Sequence, residues 1–188
     1  EVAADQPLLT YATRGMEPLR GFPEFMRALP AVLAARPELQ VVIAGRDRSA
    51  YGAPAPSHGG SWKQLLLDEL ASFEGWERVS FTGLLTRAAY AQMLQRTHLH
   101  VYFSRPYVTS WSLFEAVACG APILSNPGPT TIGSLPPEQF AGVVELEAGP
   151  EAISEAMLAG LRDTSLGVPA PAWLWRGQAQ QVWQQLVN

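Results

Sequence analysis

A polar loop that leads directly into a short apolar helix is the segment of this chain best suited to chemistry. Residues 110–123 have the sequence SWSLFEAVACGAPI, in which hydroxyl side chains open a helix that ends near Gly120. The first N–H groups of a helix lack partners within it and lie at the positive end of its dipole, where they stabilise an anion. Glu115, about one turn further along, is placed to reach a ribose. The pattern predicts a phosphate and ribose site, with a Ser N-cap on an ordinary amphipathic helix as the alternative.

Two arginines near the start of the chain form a second group suited to phosphate. Arg14 follows an apolar strand pattern, and Arg20 follows the turn of residues 15–19. A guanidinium group donates two parallel hydrogen bonds and so matches the oxygens of a phosphate. We therefore predict that both arginines lie at the same end of a sheet. The alternative is one solvated arginine and one that forms a salt bridge with Glu17.

Strand and helix patterns alternate along most of the chain. Apolar residues at helical spacing mark helices, and short continuous apolar runs mark strands that are buried on both faces. Strands are predicted at 8–13, 39–45, 79–82, 98–104, 122–125 and 143–146, and helices at 23–35, 62–73, 87–96, 110–119 and 151–162. This alternation predicts an α/β fold, a Rossmann-like doubly wound parallel sheet with helices on both faces.

The residues that follow the strands are predicted to meet at one edge, since doubly wound domains bind ligands beyond the carboxyl ends of their strands. These residues are Thr13, Arg14, Gly45, Arg46, Asp47, Thr82, Gly83, Leu84, Ser104, Arg105, Pro106, Ser125 and Asn126. The loop 51–60 is rich in Gly, Pro and Ser and is long enough to form a mobile flap.

Composition and charge restrict the class of protein. The 188 residues are 47% hydrophobic and 16% charged, and no apolar run approaches the roughly 18 residues of a membrane span, so a soluble domain is expected. A net charge of −4 argues against a broad basic face, so no nucleic-acid partner is expected. The single cysteine, Cys119, forms no internal disulfide, which suits a reducing compartment and predicts a cytoplasmic location. Cys119 is expected to be a packing residue rather than a nucleophile.

The chain divides into one domain, predicted over residues 1–165, and a terminal segment over residues 166–188. A Pro-Ala-Pro break at residues 169–171 lies within this segment, and after it, over residues 172–187, tryptophans and aliphatic residues recur as in an amphipathic helix. We expect that helix to brace the domain or to cross to a missing N-terminal domain. Because the chain begins on a short polar lead without Met, we expect it to be a piece of a longer protein.

Several kinds of site are not indicated. No His/Asp cluster has metal-ligand spacing, and His98 and His100 alternate along a strand, which is typical of core or strand-face residues. No Gly-x-Gly-x-x-Gly follows the first strand, which argues against a dinucleotide dehydrogenase, and no Gly-x-Ser-x-Gly elbow indicates a serine hydrolase. Trp111 opens an otherwise apolar helix, which favours a core position over stacking on a ligand.

The order of these segments resembles that of a known enzyme family. The segments that carry the resemblance are the strand before Arg14 and residues 20–22, 45, 81–83, 101–104 and 114–123. Together they look like the C-terminal, donor-binding half of group 1 retaining glycosyltransferases of the GT-B fold, from about residue 9 to residue 161. In that family this half binds the nucleotide-sugar donor, and an N-terminal half holds the acceptor.

The resemblance implies catalytic roles for the two arginines. Arg14 matches the family's arginine on the donor diphosphate, Arg20 takes the place of its usual lysine, and both would stabilise charge on the departing phosphate. Glu115 matches the second glutamate of a Glu-seven residues-Glu motif, which contacts the ribose. The first glutamate of that motif, which touches the donor sugar in the family, falls on Tyr107.

The resemblance also implies contacts for the loops. The turn of Gly83 and Leu84 corresponds to the segment whose backbone reads the base. Ser110, Trp111 and Ser112 would offer N–H groups to the phosphates, although the family's usual glycine is replaced by Ser110.

The expected function is hexosyltransferase-like transfer from a UDP- or GDP-sugar to a hydroxyl acceptor with retained configuration, without a metal or other cofactor. The acceptor, a glycan or another hydroxyl compound, would be held by the absent N-terminal domain, which leaves room for peripheral membrane contact through that half. The fragment alone is expected to be incomplete for catalysis. Two alternatives stay open: a non-catalytic nucleotide-sugar-binding or regulatory domain, and a sugar-nucleotide epimerase of the same fold.

Overall fold

The computed structural model describes residues 6–105, 110–128 and 140–162, in which six strands form one sheet. The strands are β1 (Leu8–Gly15), β2 (Gln40–Arg46), β3 (Val79–Gly83), β4 (Leu99–Tyr102), β5 (Ile123–Ser125) and β6 (Phe140–Val143). Their order across the sheet is β3-β2-β1-β4-β5-β6, and every neighbouring pair is parallel. This is the strand order of the Rossmann fold, so the predicted doubly wound sheet is confirmed.

Helices cover both faces of the sheet. Those in the described residues are α1 (Phe22–Ala35), α2 (Trp62–Glu69), α3 (Arg87–Arg96), α4 (Trp111–Ala118) and α5 (Gly149–Arg162). α1, α2 and α5 contribute to one apolar cluster, and α3 and α4 contribute to the other. Along β1, Leu9 and Tyr11 belong to the first cluster while Leu8 and Ala12 belong to the second, the alternation of a strand buried on both faces.

The connection from β1 to α1 is fixed by aromatic packing. The buried ring of Tyr11 stacks on Phe25 of α1 with centroids 4.6 Å apart, and its hydroxyl donates to the carbonyl oxygen of Arg20 at 2.7 Å. Gly21 has a φ of 63°, and a Cβ there would lie 2.6 Å from the Cβ of Phe103. Only glycine therefore fits where the turn that carries Arg20 passes Phe103, the residue after β4.

Most elements differ from the prediction by one or two residues at an end; β1, for example, continues to Gly15, so Arg14 lies within it. Three further differences concern α2, β4 and β6. α2 ends at Glu69, β4 covers Leu99–Tyr102, and β6 covers Phe140–Val143 instead of residues 143–146. β6 is fixed by its register with the three-residue strand β5, which a run of apolar residues does not reveal. The predicted segment 166–188 and Tyr107 lie outside the described residues.

The two neighbouring histidines lie in different surroundings. His100 is fully buried in β4, with its Nδ1 2.9 Å from the hydroxyl of Thr10 and its Nε2 without a hydrogen-bond partner among the described residues. His98 is exposed before β4 begins, and its Nδ1 accepts the N–H of Leu8 at 3.1 Å. The predicted core position is confirmed for His100 and wrong for His98, because the strand starts only at Leu99.

The buried imidazole of His100 predicts acid sensitivity. Burial lowers the pKa of His100 to about 4, so between pH 6.5 and 4 the unfolded chain binds a proton that the folded chain does not. The free energy of unfolding should therefore decrease as the pH is lowered from 6.5 to 4, by up to about 3 kcal/mol from this group. Denaturant titrations from pH 7 to 4 should give a flatter profile for His100→Gln than for the unsubstituted chain. His98→Gln, at the exposed neighbour, should flatten it less; equal profiles for all three proteins would contradict the assignment.

Candidate functional site

A cleft of about 950 Å³ lies at the carboxyl edge of the sheet, above the point where β1 and β4 diverge. All eight residues that the sequence predicts for a site line this cleft. The lining is formed by Ala12, Thr13, Arg14, Leu19, Arg20, Ala44, Gly45, Tyr51, Gly83, Leu84, Leu85, Tyr90, Tyr102, Phe103, Ser104, Arg105, Ser110, Trp111, Ser112 and Glu115. Its position is the switch point at which doubly wound sheets bind their ligands.

Two guanidinium groups lie beside one aromatic ring in the cleft. The guanidinium carbons of Arg14 and Arg20 are 5.7 and 5.6 Å from the ring centroid of Tyr51. Arg14 also donates to the Tyr51 hydroxyl at 2.8 Å, and Arg20 donates to the hydroxyl of Ser104 at 2.8 Å. Within the described residues neither arginine forms an ion pair with a carboxylate. The cleft therefore holds two positive charges that a bound anion would neutralise.

The carboxylate of Glu17 contacts backbone rather than either arginine. Glu17 is fully buried, and its Oε2 accepts the N–H groups of Ala50, Tyr51 and Gly52 at 3.1, 3.0 and 2.6 Å. The salt bridge considered as the alternative is therefore absent within the described residues, and Glu17 instead holds the loop that carries Tyr51.

A third arginine of the cleft is neutralised. Arg105 forms salt bridges with Glu24 at the start of α1 and with Glu147 in the 3-10 turn before α5. The hydrogen bond from Arg105 lowers the pKa of Glu147, as expected for a carboxylate beside a cation. Arg105 thus ties three segments together.

The start of α4 is already satisfied by its own hydroxyl groups. Ser110 is the N-cap, and its Oγ accepts the N–H of Ser112 at 3.3 Å and is hydrogen-bonded to the Ser112 hydroxyl. The N–H of Ser110 donates to the hydroxyl of Tyr102 at 2.9 Å. Ser110 is therefore an N-cap, and a phosphate that accepts the N–H of Ser112 would replace the Ser110 hydroxyl as its acceptor.

Glu115 is exposed on the cleft side of α4, beside Tyr90 and Cys119. Burial, reinforced by the carboxylate of Glu115, raises the pKa of Tyr90 above its usual range. The same two causes raise the pKa of the Cys119 thiol, which keeps it protonated near neutral pH. A thiol with a raised pKa is a weak nucleophile, which agrees with the packing role predicted for Cys119.

Apolar groups at the cleft are unusually exposed. Leu84 is 62% exposed and follows Gly83, whose φ of 66° turns the chain after β3. Trp111 is 76% exposed, with its ring 6.3 Å from that of Phe114. The predicted core position of Trp111 is wrong, because α4 turns its first residue towards the cleft while Leu113 of the same helix packs inward.

The sequence did not indicate Glu17, Tyr51, Tyr90 or Tyr102 as site residues. Tyr51 and Glu17 reach the site through the fold of a loop and a turn, and no local spacing marks either one. Conversely, five residues predicted at this edge do not line the cleft: Arg46, Thr82 and Ser125 at the ends of their strands, and Asp47 and Asn126 just after strands. Asp47 accepts from Ser61, and Asn126 is hydrogen-bonded to the backbone of Ser104.

The described residues contain no group of three or more His, Cys, Asp or Glu side chains that could hold a metal ion. In the same part of the chain, no helix is both long and apolar enough to cross a membrane.

Fold and cleft together define a Rossmann-type α/β domain with a cationic cleft at its switch point. The family model described as "Glycosyl transferases group 1" matches residues 6–163, so the chain belongs to the group 1 glycosyltransferases. Comparison with curated protein sequences gives no significant match.

Solved structures of glycosyltransferases are similar to this chain. The C-terminal domain of a group 1 family protein (LpcC) from Francisella tularensis matches with a TM-score of 0.69 and 14% identity, over 94% of this chain and 88% of that one. Anabaena Alr3699/HepE in complex with UDP and glucose matches with a TM-score of 0.70 and 14% identity, over 98% of this chain and 49% of that one. Sucrose-phosphate synthase (tll1590) from Thermosynechococcus elongatus matches with a TM-score of 0.66 and 20% identity, over 98% of this chain and 46% of that one.

These similarities have two consequences. At such identities they show a shared fold, the Rossmann-like domain of GT-B glycosyltransferases. The chain spans less than half the length of sucrose-phosphate synthase and about a third of the pneumococcal O-GlcNAc transferase GtfA.

The salt bridges of Arg105 predict a stability effect. In Arg105→Ala the carboxylate of Glu24, with a side chain only 18% exposed, loses its partner, and the free energy of unfolding should drop by about 1–3 kcal/mol. Arg27→Ala is the matched control, because the Arg27–Glu69 pair is 38% and 39% exposed and should contribute less than about 1 kcal/mol. Urea denaturation of both variants measures the difference; a smaller loss for Arg105→Ala than for Arg27→Ala would contradict this account.

Proposed function

We propose that the cleft binds the nucleoside diphosphate part of a sugar donor, UDP- or GDP-linked, and that the domain supports glycosyl transfer to a hydroxyl acceptor. The observation that carries this proposal is the pair Arg14 and Arg20, two guanidinium groups at the switch point with no carboxylate partner among the described residues. A diphosphate supplies the missing negative charge and matches the forked donors of guanidinium. Membership of the group 1 glycosyltransferases and the UDP bound to Anabaena HepE support the same ligand class.

The other cleft residues suit the remaining parts of such a donor. Glu115, the only carboxylate among the described residues that line the cleft, would accept hydrogen bonds from ribose hydroxyls. The turn of Gly83 and Leu84 would lie against the base, where the exposed Leu84 side chain offers an apolar contact. Ser110, Trp111 and Ser112 at the start of α4 would line the phosphates, with the serine hydroxyls donating in place of the contact they make with each other.

The proposed reaction breaks the bond between the anomeric carbon and the phosphate oxygen and forms a bond from that carbon to the acceptor oxygen. The nucleoside diphosphate departs with the electron pair of the broken bond, and the proton of the acceptor hydroxyl passes to the departing phosphate oxygen or to water, so that the step balances. Arg14 and Arg20 would stabilise the negative charge that grows on the departing phosphate, so that no metal is required for this purpose. We infer retained configuration and an acceptor site on an N-terminal domain from the resemblance to retaining GT-B enzymes.

A non-catalytic nucleotide-sugar-binding domain is the second candidate, favoured by Tyr107 at the position where the family has its sugar-contacting glutamate. Turnover of donor by the full chain separates the two candidates. Release of nucleoside diphosphate that depends on an acceptor supports transfer, whereas saturable binding without release supports the binding role.

Removal of Arg14 should weaken nucleotide binding. We expect Arg14→Ala to raise the Kd of the preferred ligand among UDP, GDP and ADP by about tenfold or more, the usual effect of losing a charged hydrogen bond. Isothermal titration of the full chain measures this change. Arg36→Ala removes the same charge at the opposite edge of the sheet, where Arg36 pairs with Glu38, and should leave the Kd within about twofold. Equal Kd values for Arg14→Ala and the unsubstituted chain would overturn the proposed site.

Removal of Glu115 should affect only ligands that contain ribose. Glu115→Ala should raise the Kd of the nucleoside diphosphate about tenfold and leave that of inorganic pyrophosphate unchanged, because pyrophosphate has no sugar hydroxyls to donate. Arg14→Ala should weaken both ligands in the same titrations. If Glu115→Ala weakens pyrophosphate equally, its carboxylate does not contact ribose.

A further inference from the structure

We propose that Glu17 and Tyr51 are positioning residues that hold Arg14 and Arg20 together as a two-cation receptor, and that they set the preference of the cleft for a diphosphate over a monophosphate. This inference rests on the proposed function, since it concerns the phosphate part of the same ligand. Neither residue is needed to contact the ligand; both act through the two arginines.

Tyr51 attracts both guanidinium groups to one ring. Both guanidinium carbons lie within 6 Å of its ring centroid, at 5.7 Å for Arg14 and 5.6 Å for Arg20, and its hydroxyl accepts a hydrogen bond from Arg14. An aromatic ring attracts a cation through its quadrupole, and this attraction offsets part of the repulsion between the two guanidinium groups. The side chain is 60% exposed, so burial in the core does not explain its position.

Glu17 fixes the place of Tyr51. Its Oε2 accepts three consecutive N–H groups, those of residues 50–52, and so holds the backbone on both sides of the Tyr51 Cα. Its backbone carbonyl oxygen accepts the N–H of Arg20 at 3.0 Å. One residue therefore joins the turn that carries the arginines to the loop that carries the ring.

The surroundings of Glu17 indicate that its carboxylate orients the backbone of a loop rather than pairing with a cation. The residue is fully buried, and its Oε1 has no hydrogen-bond partner among the described residues. Burial of a carboxylate without a cation is costly, so its backbone contacts must provide the compensation. Those contacts orient one exposed tyrosine over two arginines, which is a preformed anion site with its two charges set for two phosphate groups.

The test is the ratio of the Kd for a nucleoside monophosphate to that for the matching diphosphate, measured by calorimetry on the full chain. UDP, GDP and ADP are titrated first, and the tightest is paired with UMP, GMP or AMP. Base and ribose are the same in both members of a pair, so the ratio isolates the second phosphate. Tyr51→Leu should lower this ratio about tenfold, whereas Tyr51→Phe, which keeps the ring, should lower it less than about threefold.

Two controls separate positioning from a general loss of structure. Val143→Ala, at an exposed apolar residue outside the cleft, should leave the ratio unchanged. Leu84→Ala should weaken monophosphate and diphosphate by the same factor, because Leu84 lies at the proposed base site. A Tyr51→Leu protein that unfolds normally yet keeps the ratio of the unsubstituted chain would overturn the inference and leave the proposed function standing.

Glu17 is tested through its coupling to Tyr51. Glu17→Gln should lower the ratio, and the double variant with Tyr51→Leu should lose no more than Tyr51→Leu alone, since both changes remove the same arrangement. Independent, additive losses would overturn the role of Glu17. If Glu17→Gln does not fold, the two Tyr51 variants still decide the inference. A chain that binds none of the three diphosphates overturns the proposed function as well, and one that binds both phosphate states equally overturns only the inference.

Discussion

The placement of two guanidinium groups against one aromatic ring is the interaction on which the cleft depends. Arg14 and Arg20 would repel each other, yet both lie against the ring of Tyr51. Among the described residues no carboxylate neutralises either of them, whereas Arg105 in the same cleft is paired with two glutamates. The contrast shows that the domain can supply acidic partners at this edge and does not supply them to this pair. This unpaired charge supports the proposed anionic ligand, and the fold must hold the two arginines in place by other means.

The parallel sheet and the connection from β1 to α1 hold the two arginines in place. Because every strand runs in the same direction, the ends of β1, β2, β3 and β4 meet at one edge, which brings residues far apart in the sequence to one cleft. The stacked rings of Tyr11 and Phe25 and the close contact of Gly21 with Phe103 hold the turn that carries Arg20. Apolar packing alone does not orient side chains. Here it fixes the backbone around Arg20, with the hydrogen bond from the Tyr11 hydroxyl to the carbonyl oxygen of Arg20, and so fixes where the guanidinium group starts.

The helix N-terminus plays a smaller part than its sequence indicates. Ser110 caps α4 and is hydrogen-bonded to Ser112, so this end of the helix is stable without a ligand. A phosphate gains from the helix dipole only by exchanging these contacts for its own. The arginines face no such exchange with a carboxylate, and for this reason they, rather than the helix, carry the argument for a diphosphate.

The sequence by itself determined the fold class and most of the cleft. Strand and helix periodicity predicted a doubly wound, Rossmann-like parallel sheet, since strands buried on both faces and linked by crossover helices leave few other arrangements, and the residues at strand ends then had to share an edge. All eight predicted site residues line the cleft for that reason. Tertiary structure alone decided the register of β6, the exposure of Trp111 and the contacts of Glu17 and Tyr51. These depend on how loops and short strands pack against distant residues, and such contacts have no period along the chain.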